Sequence, residues 1–189
     1  MKILVIDNYD SFTYNIVSYL KEITGQDIPV YRNDKIDLED MGDYDKIVLS
    51  PGPGVPKDAG ISIDLIKRWA PEKSILGVCL GCQAIAESYG GEIYNLKNVF
   101  HGVATYMRVT DENEKLFSGI PENFTAGRYH SWVINEEKLP PEIKITARDN
   151  EGVIMAVSHN EYDLKGVQFH PESVLTRYGK QMLTNWLGY

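Results

Sequence analysis

The segment Gly77-Val78-Cys79-Leu80-Gly81 has the residue types and spacing of a nucleophile elbow, with Cys where the better-known form has Ser. It follows an apolar run, Ser74–Val78, and precedes a helical pattern over residues 83–89. An elbow needs a sharp turn that lifts the nucleophile out of a sheet. Glycines two residues before and two after leave room where side chains would collide. The helix N-terminus beyond favours a thiolate and supplies free N–H groups. The competing reading of Cys79 is a buried structural cysteine at a strand end.

A cysteine nucleophile needs a base, and the base needs an orienting group. Of the four histidines, His101, His130, His159 and His170, His170 has the most suggestive surroundings, Val167-Gln168-Phe169-His170-Pro171-Glu172-Ser173. Pro171 biases His170 towards an extended conformation. Residues two apart in an extended chain point the same way, so His170 and Glu172 are expected side by side. A solvated His–Glu pair at a strand end is the competing reading. The loop Ser50-Pro51-Gly52-Pro53-Gly54 lacks the Gly-Lys-Ser/Thr of a phosphate-binding loop. Its glycines and prolines make a rigid turn whose backbone can approach a ligand and donate an N–H to an oxyanion. Taken alone, an ordinary tight turn is the favoured reading of this loop.

The elements that must hold these residues follow from periodicity. Residues 2–6 are continuous and apolar, as in a strand buried on both faces. Asp10 or Ser11 is placed to cap a helix with Phe12, Ile16, Val17 and Leu20 on one face. Strands are expected at 28–31, Lys46–Leu49 and Ser74–Val78, and helices at 60–69 and 83–89. This alternation predicts an α/β fold, a doubly wound, mostly parallel central sheet with helices on both faces. The second half reads as strands at Val103–Val109, 124–134, 143–147, 153–158 and 166–169, then a helix at 178–187. These are expected as antiparallel additions to the sheet.

Composition narrows the class. The chain has 189 residues, 43% hydrophobic and 24% charged, enough for one domain spanning residues 1–189 with a sizeable core. A net charge of −8 argues against a nucleic-acid partner, because phosphate binding needs clustered Lys and Arg. No apolar run approaches the ~20 residues of a membrane span, and the N-terminus turns polar too quickly for a signal peptide. With Cys79 and Cys82 alone there is no secreted disulfide framework. A cytoplasmic protein without a membrane partner is the expectation.

Five motifs occur in one order: Asp7-Asn8-Tyr9-Asp10-Ser11-Phe12-Thr13-Tyr14-Asn15, the Ser-Pro-Gly-Pro-Gly loop, the Cys elbow, Tyr129-His130-Ser131, and Phe169-His170-Pro171-Glu172-Ser173. Together they resemble class I glutamine amidotransferases, in particular the glutaminase components of anthranilate synthase and aminodeoxychorismate synthase. The resemblance covers essentially the whole chain. It implies a Cys79–His170–Glu172 triad, oxyanion donors at Gly54 and Leu80, and glutamine contacts at Gly52, Pro53, Gly54, Gln83, Ser131 and Trp132. It implies no cofactor. It also implies that L-glutamine is hydrolysed through a cysteinyl thioester and that the ammonia passes to a larger, chorismate-binding synthase subunit (component I). Nothing in this chain resembles such a subunit. The tryptophan and folate versions share these motifs.

One position departs from the family pattern: Cys82 stands where members commonly carry His. The resulting Cys-x-x-Cys lacks the two further ligands of a zinc site. A second thiol three residues after the nucleophile can resolve an oxidised Cys79 to a disulfide. Packing of Cys82 against the sheet is favoured instead, because disulfide geometry is narrow. Other readings are a stand-alone γ-glutamyl peptidase, an amidotransferase subunit for GMP or carbamoyl phosphate synthesis, and a non-catalytic binding module. Chains of the GMP and carbamoyl phosphate type are expected to be longer or to differ at the N-terminal motif.

Overall fold

Alternating side chains along each buried strand are sorted to two cores. In the computed structural model, which describes residues 1–189, β1 (Ile3–Asp7) is buried along its whole length. Ile3 and Val5 face one core, Leu4 and Ile6 the other. β3 (Lys46–Leu49) and β4 (Ser74–Val78) divide likewise, with Val48, Leu76 and Val78 in the first core and Ile47, Leu49 and Ile75 in the second. A strand covered on both faces requires this pattern. The first core is closed by α1 (Thr13–Thr24), through Ile16, Val17 and Leu20, and by α4 (Gly179–Leu187), through Met182, Leu183 and Trp186. The second is closed by α2 (Ser62–Trp69), through Leu65 and Ile66, and by α3 (Leu80–Ser88), through Ile85. Each such side chain removed from water contributes about 1.5–3 kcal/mol. Helices thus lie on both faces of the sheet, as the alternation of elements predicts.

The remaining strands are β2 (Val30–Arg32), β5 (Ile93–Asn95), β6 (Val103–Val109), β7 (Asn123–Arg128), β8 (Trp132–Ile134), β9 (Ile143–Asp149), β10 (Ile154–His159) and β11 (Leu164–Val167). The main sheet has nine strands in the order β2-β1-β3-β4-β11-β10-β9-β6-β7. From β2 to β11 the pairings are parallel. Beyond β11 they are antiparallel. The chain goes from β1 to β2 on one side and returns to β3 on the other. This reversal opens a crevice at the carboxyl ends of the strands, where open α/β sheets bind ligands. No helix is long and apolar enough to cross a membrane.

Several local expectations are corrected. The apolar stretch 124–134 is two strands: β7 ends at Arg128, the chain turns out through Tyr129-His130-Ser131, and β8 pairs with β5 in a separate ribbon. β11 is Leu164–Val167 rather than 166–169, and β2 is Val30–Arg32 rather than 28–31. Phe12 occupies the N-cap of α1, with no side-chain cap. The Asp7 carboxylate instead gathers that turn, Oδ1 accepting from the N–H groups of Tyr9 and Asp10 and from the Thr13 hydroxyl. Asp10 Oδ1 accepts from the Phe12 N–H.

Candidate active site

The elbow forms as its glycines require, and α3 begins at Leu80, directly after Cys79 and three residues earlier than the helical pattern suggests. Cys79 has φ 52° and ψ −101°. A non-glycine residue at positive φ carries about 1–3 kcal/mol of strain, a feature concentrated at functional sites. A Cβ on Gly77 would overlap the Gly81 backbone, and one on Gly81 would lie 2.6 Å from the Leu49 carbonyl oxygen. The Cys79 N–H donates to the Val167 carbonyl at 2.8 Å, tying the turn to β11.

His170 and Glu172 do meet, although not by the extended geometry expected. The chain turns at Pro171 and Glu172. His170 N–H donates to the Gly127 carbonyl at 3.0 Å, and the His170 carbonyl accepts from the Thr176 hydroxyl at 2.6 Å. Held on both sides, His170 presents Nδ1 to Glu172 Oε1 at 2.6 Å. The pair is buried rather than solvated, its side chains only 2% and 0% exposed. Glu172 Oε2 and His170 Nε2 have no hydrogen-bond partner. A buried polar atom without a partner costs about 1–3 kcal/mol, and such an atom calls for a functional explanation. Burial disfavours the imidazolium, but the Cys79 and Glu172 side chains outweigh it and raise the His170 pKa to about 10. No hydrogen bond joins Cys79 to His170 Nε2 at rest. Catalytic hydrogen bonds commonly tighten only when substrate is bound. The Tyr129 and Phe12 rings pack against the imidazole at centroid distances of 4.8 and 5.7 Å.

Cys79 opens onto a cavity of about 210 Å³, small for a drug-sized ligand and suited to one amino acid. Its walls are Gly52, Pro53 and Gly54 from the loop after β3, Leu80 and Gln83 from α3, and Tyr129, His130, Ser131 and Trp132 from the turn between β7 and β8. Every residue expected to contact glutamine therefore lies around one cavity. The N–H groups of Gly54 and Leu80 donate to no protein acceptor. Asn8 clamps the glycine-proline loop: its N–H donates to Ser50 Oγ and its Nδ2 to the Ser50 carbonyl, both at 2.8 Å. Asn8 Oδ1 accepts from Asn33 Nδ2 and Ser62 Oγ. A Cβ on Gly52 would lie 2.6 Å from Asn8 and 2.7 Å from Leu80, so the loop packs this closely only with glycine there.

The far wall rests on groups that the sequence motifs do not include. Arg128 and Asp149, 2% and 3% exposed, form an ion pair at 2.6 Å. Arg128 Nε also donates to His130 Nε2 at 3.2 Å. A guanidinium only donates, so Nε2 is the acceptor and the proton sits on Nδ1, which donates to the Trp132 carbonyl at 3.1 Å. Burial, then the Arg128 charge, lowers the His130 pKa to about 3, and the ring stays neutral. Only contacts between distant strands could have revealed this network.

Cys82 points away from the cavity. It is fully buried, and a Cβ on Gly166 of β11 would meet its Sγ at 2.8 Å. Burial, then the neighbouring Cys79, raises its pKa. Both cysteines are free. Cys82 therefore packs against the sheet, as favoured from sequence.

The glutamine amidotransferase class-I family profile matches residues 4–188, and the chain belongs to that family. Aminodeoxychorismate/anthranilate synthase component 2 of Bacillus subtilis is 43% identical over 187 residues, covering 98% of this chain and 95% of that protein. The bifunctional protein TrpGD of Thermotoga maritima is 44% identical over 189 residues, covering 98% of this chain and 32% of that protein. Among solved structures, a putative GMP synthase subunit from Thermoplasma acidophilum superposes with a TM-score of 0.87 at 28% identity, covering 100% of this chain and 92% of that one. That putative GMP synthase subunit is of similar length to this chain.

Proposed function

We propose that this chain is the glutaminase subunit of a chorismate-using synthase, most directly anthranilate synthase. It hydrolyses the side-chain amide of L-glutamine and delivers ammonia to a larger component I. The observation that carries this reading is the buried, unpartnered Nε2 of His170 together with a strained Cys79 lining an amino-acid-sized cavity. In this reading the proton given up by the Cys79 thiol is held on His170 Nε2, while Glu172 holds the imidazole by Nδ1 and balances its charge. Cys79 Sγ attacks the amide carbon. The oxyanion lies against the free N–H groups of Gly54 and Leu80, a contribution of roughly 3–4 kcal/mol per donor in comparable sites. His170 then protonates the leaving ammonia, and water hydrolyses the glutamyl thioester. Gly52, Pro53, Gln83, Ser131 and Trp132 position the substrate.

The family membership and the component 2 relative, whose name includes both synthases, support the subunit role. The same role in aminodeoxychorismate synthase is the second reading, resting on that same name. A cytoplasmic location accords with both. The test supplies each purified synthase partner in turn. Cys79→Ser should abolish glutamine-dependent synthesis and leave ammonia-dependent synthesis intact. Loss of both, or of neither, would count against the assignment.

A further inference from the structure

Strand register places at the nucleophile a side chain to which no motif assigns a role. β4 and β11 pair in parallel with Val78 opposite Val167, so Cys79 and Gln168 are the next neighbours in that register. Gln168 is completely buried. Its Nε2 lies 3.5 Å from Cys79 Sγ. Its Oε1 accepts from Gln83 Nε2 at 3.1 Å, and the same Gln83 nitrogen donates to the Trp132 carbonyl at 2.8 Å.

The direction of this chain is fixed by chemistry. A carbonyl only accepts, so Gln83 must present its NH₂ group to Trp132. That same group faces Gln168, which must answer with Oε1. Only the Gln168 NH₂ then remains for the sulfur. At the far end, Arg128 fixes the His130 tautomer, so His130 too donates to the Trp132 carbonyl.

We propose that Gln168 is the hydrogen-bond donor that stabilises the Cys79 thiolate, and that the amide chain from Trp132 through Gln83 holds this donor in place from the substrate-binding wall. The inference rests on reading Cys79 as the nucleophile. When the thiol proton passes to His170 Nε2, the sulfur takes the negative charge and the Gln168 N–H faces it. When sulfur attacks the amide carbon, that charge moves to the carbonyl oxygen and the N–H···S bond weakens. When the thioester is hydrolysed, the sulfur leaves as an anion and the bond is restored. The titratable groups facing Cys79 are His170 with Glu172 behind it, Cys82 on its own helix, and Tyr129 and His130 across the cavity. None of them supplies a neutral N–H aimed at the sulfur.

The test is the pH profile of Cys79 alkylation by iodoacetamide, read by peptide mass mapping, with buried Cys82 as an internal control. Gln168→Glu keeps Oε1 as the acceptor for Gln83 and replaces the donor with a carboxylate oxygen. Its alkylation at pH 7 should fall roughly tenfold or more, the factor carried by a hydrogen bond to a charged group, and the profile should move to higher pH. Gln168→Met should move it in the same direction by less. With the synthase partner present, Gln168→Glu should lower kcat for glutamine with KM little changed. A wild-type alkylation profile in Gln168→Glu overturns the proposal. If the variants do not fold, the unsubstituted protein labelled with ¹⁵N-glutamine decides. The Gln168 side-chain amide resonances should shift when Cys79 is alkylated, and unmoved resonances overturn the proposal. Failure of the nucleophile assignment is distinguishable, because glutamine turnover would then survive in Cys79→Ser.

Discussion

Arg128→Met removes one partner of an ion pair that is almost wholly buried. Breaking such a pair from one side costs about 3–5 kcal/mol, because the remaining charge is left without compensation. Two features place this site at the lower end. Asp149 Oδ1 keeps its bonds from the Glu151 and Val153 N–H groups, both at 2.9 Å, so only Oδ2 is orphaned. The methionine also refills the space above the Phe100 ring, over which the guanidinium carbon sits at 3.6 Å. The expected loss is about 3 kcal/mol, which for a chain of this size is a fall in Tm of roughly 6–12 °C. Urea unfolding at pH 7 measures it. Arg128→Met/Asp149→Asn, which deletes both charges and keeps the Oδ1 acceptor, should recover more than half of the loss. His130 would also lose the donor that fixes its tautomer, so the KM for glutamine should rise more than kcat falls. A cost below about 1 kcal/mol in the single variant, within the range of an exposed pair, would refute the reasoning. So would additive losses in the double variant, because partners in contact must couple.

Three further outcomes follow from the same geometry. His130 is held neutral with a folded pKa of about 3, so the unfolded chain binds its proton first. The stability this provides is complete above about pH 6.5 and is lost as pH falls towards 3; between pH 6.5 and 5 the wild type should lose roughly 1.5 kcal/mol more than His130→Gln in urea unfolding. Gly52→Ala forces a Cβ against Asn8 and Leu80, and it should cost about 1–3 kcal/mol and most of the glutamine-dependent rate; a normal rate would show that the loop need not approach so closely. Cys82→Ser should keep most activity, and peroxide should oxidise Cys79 without a Cys79–Cys82 linkage, which mass mapping checks in wild type and variant alike.

What could be read from the sequence was local. The elbow was legible because Gly77 and Gly81 bracket Cys79 at fixed spacing, and no other residue fits where their Cβ atoms would fall. Lys46–Leu49 and Ser74–Val78 were legible because runs buried on both faces carry no polar interruption. The His170–Glu172 pair was reached by a premise the fold does not use: the chain turns there, and the pair forms because the bonds to Gly127 and Thr176 hold His170 in place. The stretch 124–134 read as one strand because aromatic and β-branched residues (Phe124, Thr125, Tyr129, Trp132, Val133, Ile134) recur from end to end of it. The break lies where the pairing partner changes: Asn123–Arg128 pairs with Val103–Val109, and Trp132–Ile134 pairs with Ile93–Asn95. Gln168, Asn8 and the Arg128–Asp149 pair lay out of reach for the same reason. Their roles depend on partners 21 to 89 positions away in the chain, and periodicity within one element carries no information about register between two.

The claim at the centre is that Cys79, with His170 and Glu172 behind it, carries the glutamyl group. The most direct measurement is a single turnover of isotope-labelled glutamine by the chain in complex with its synthase partner, quenched in acid and mapped by peptide mass spectrometry. A labelled glutamyl adduct is expected on the peptide that contains Cys79. The adduct should form and decay on the time scale of glutamate release and be absent in Cys79→Ser. Turnover at the normal rate with no adduct at Cys79, or with the label on any other residue, would contradict it.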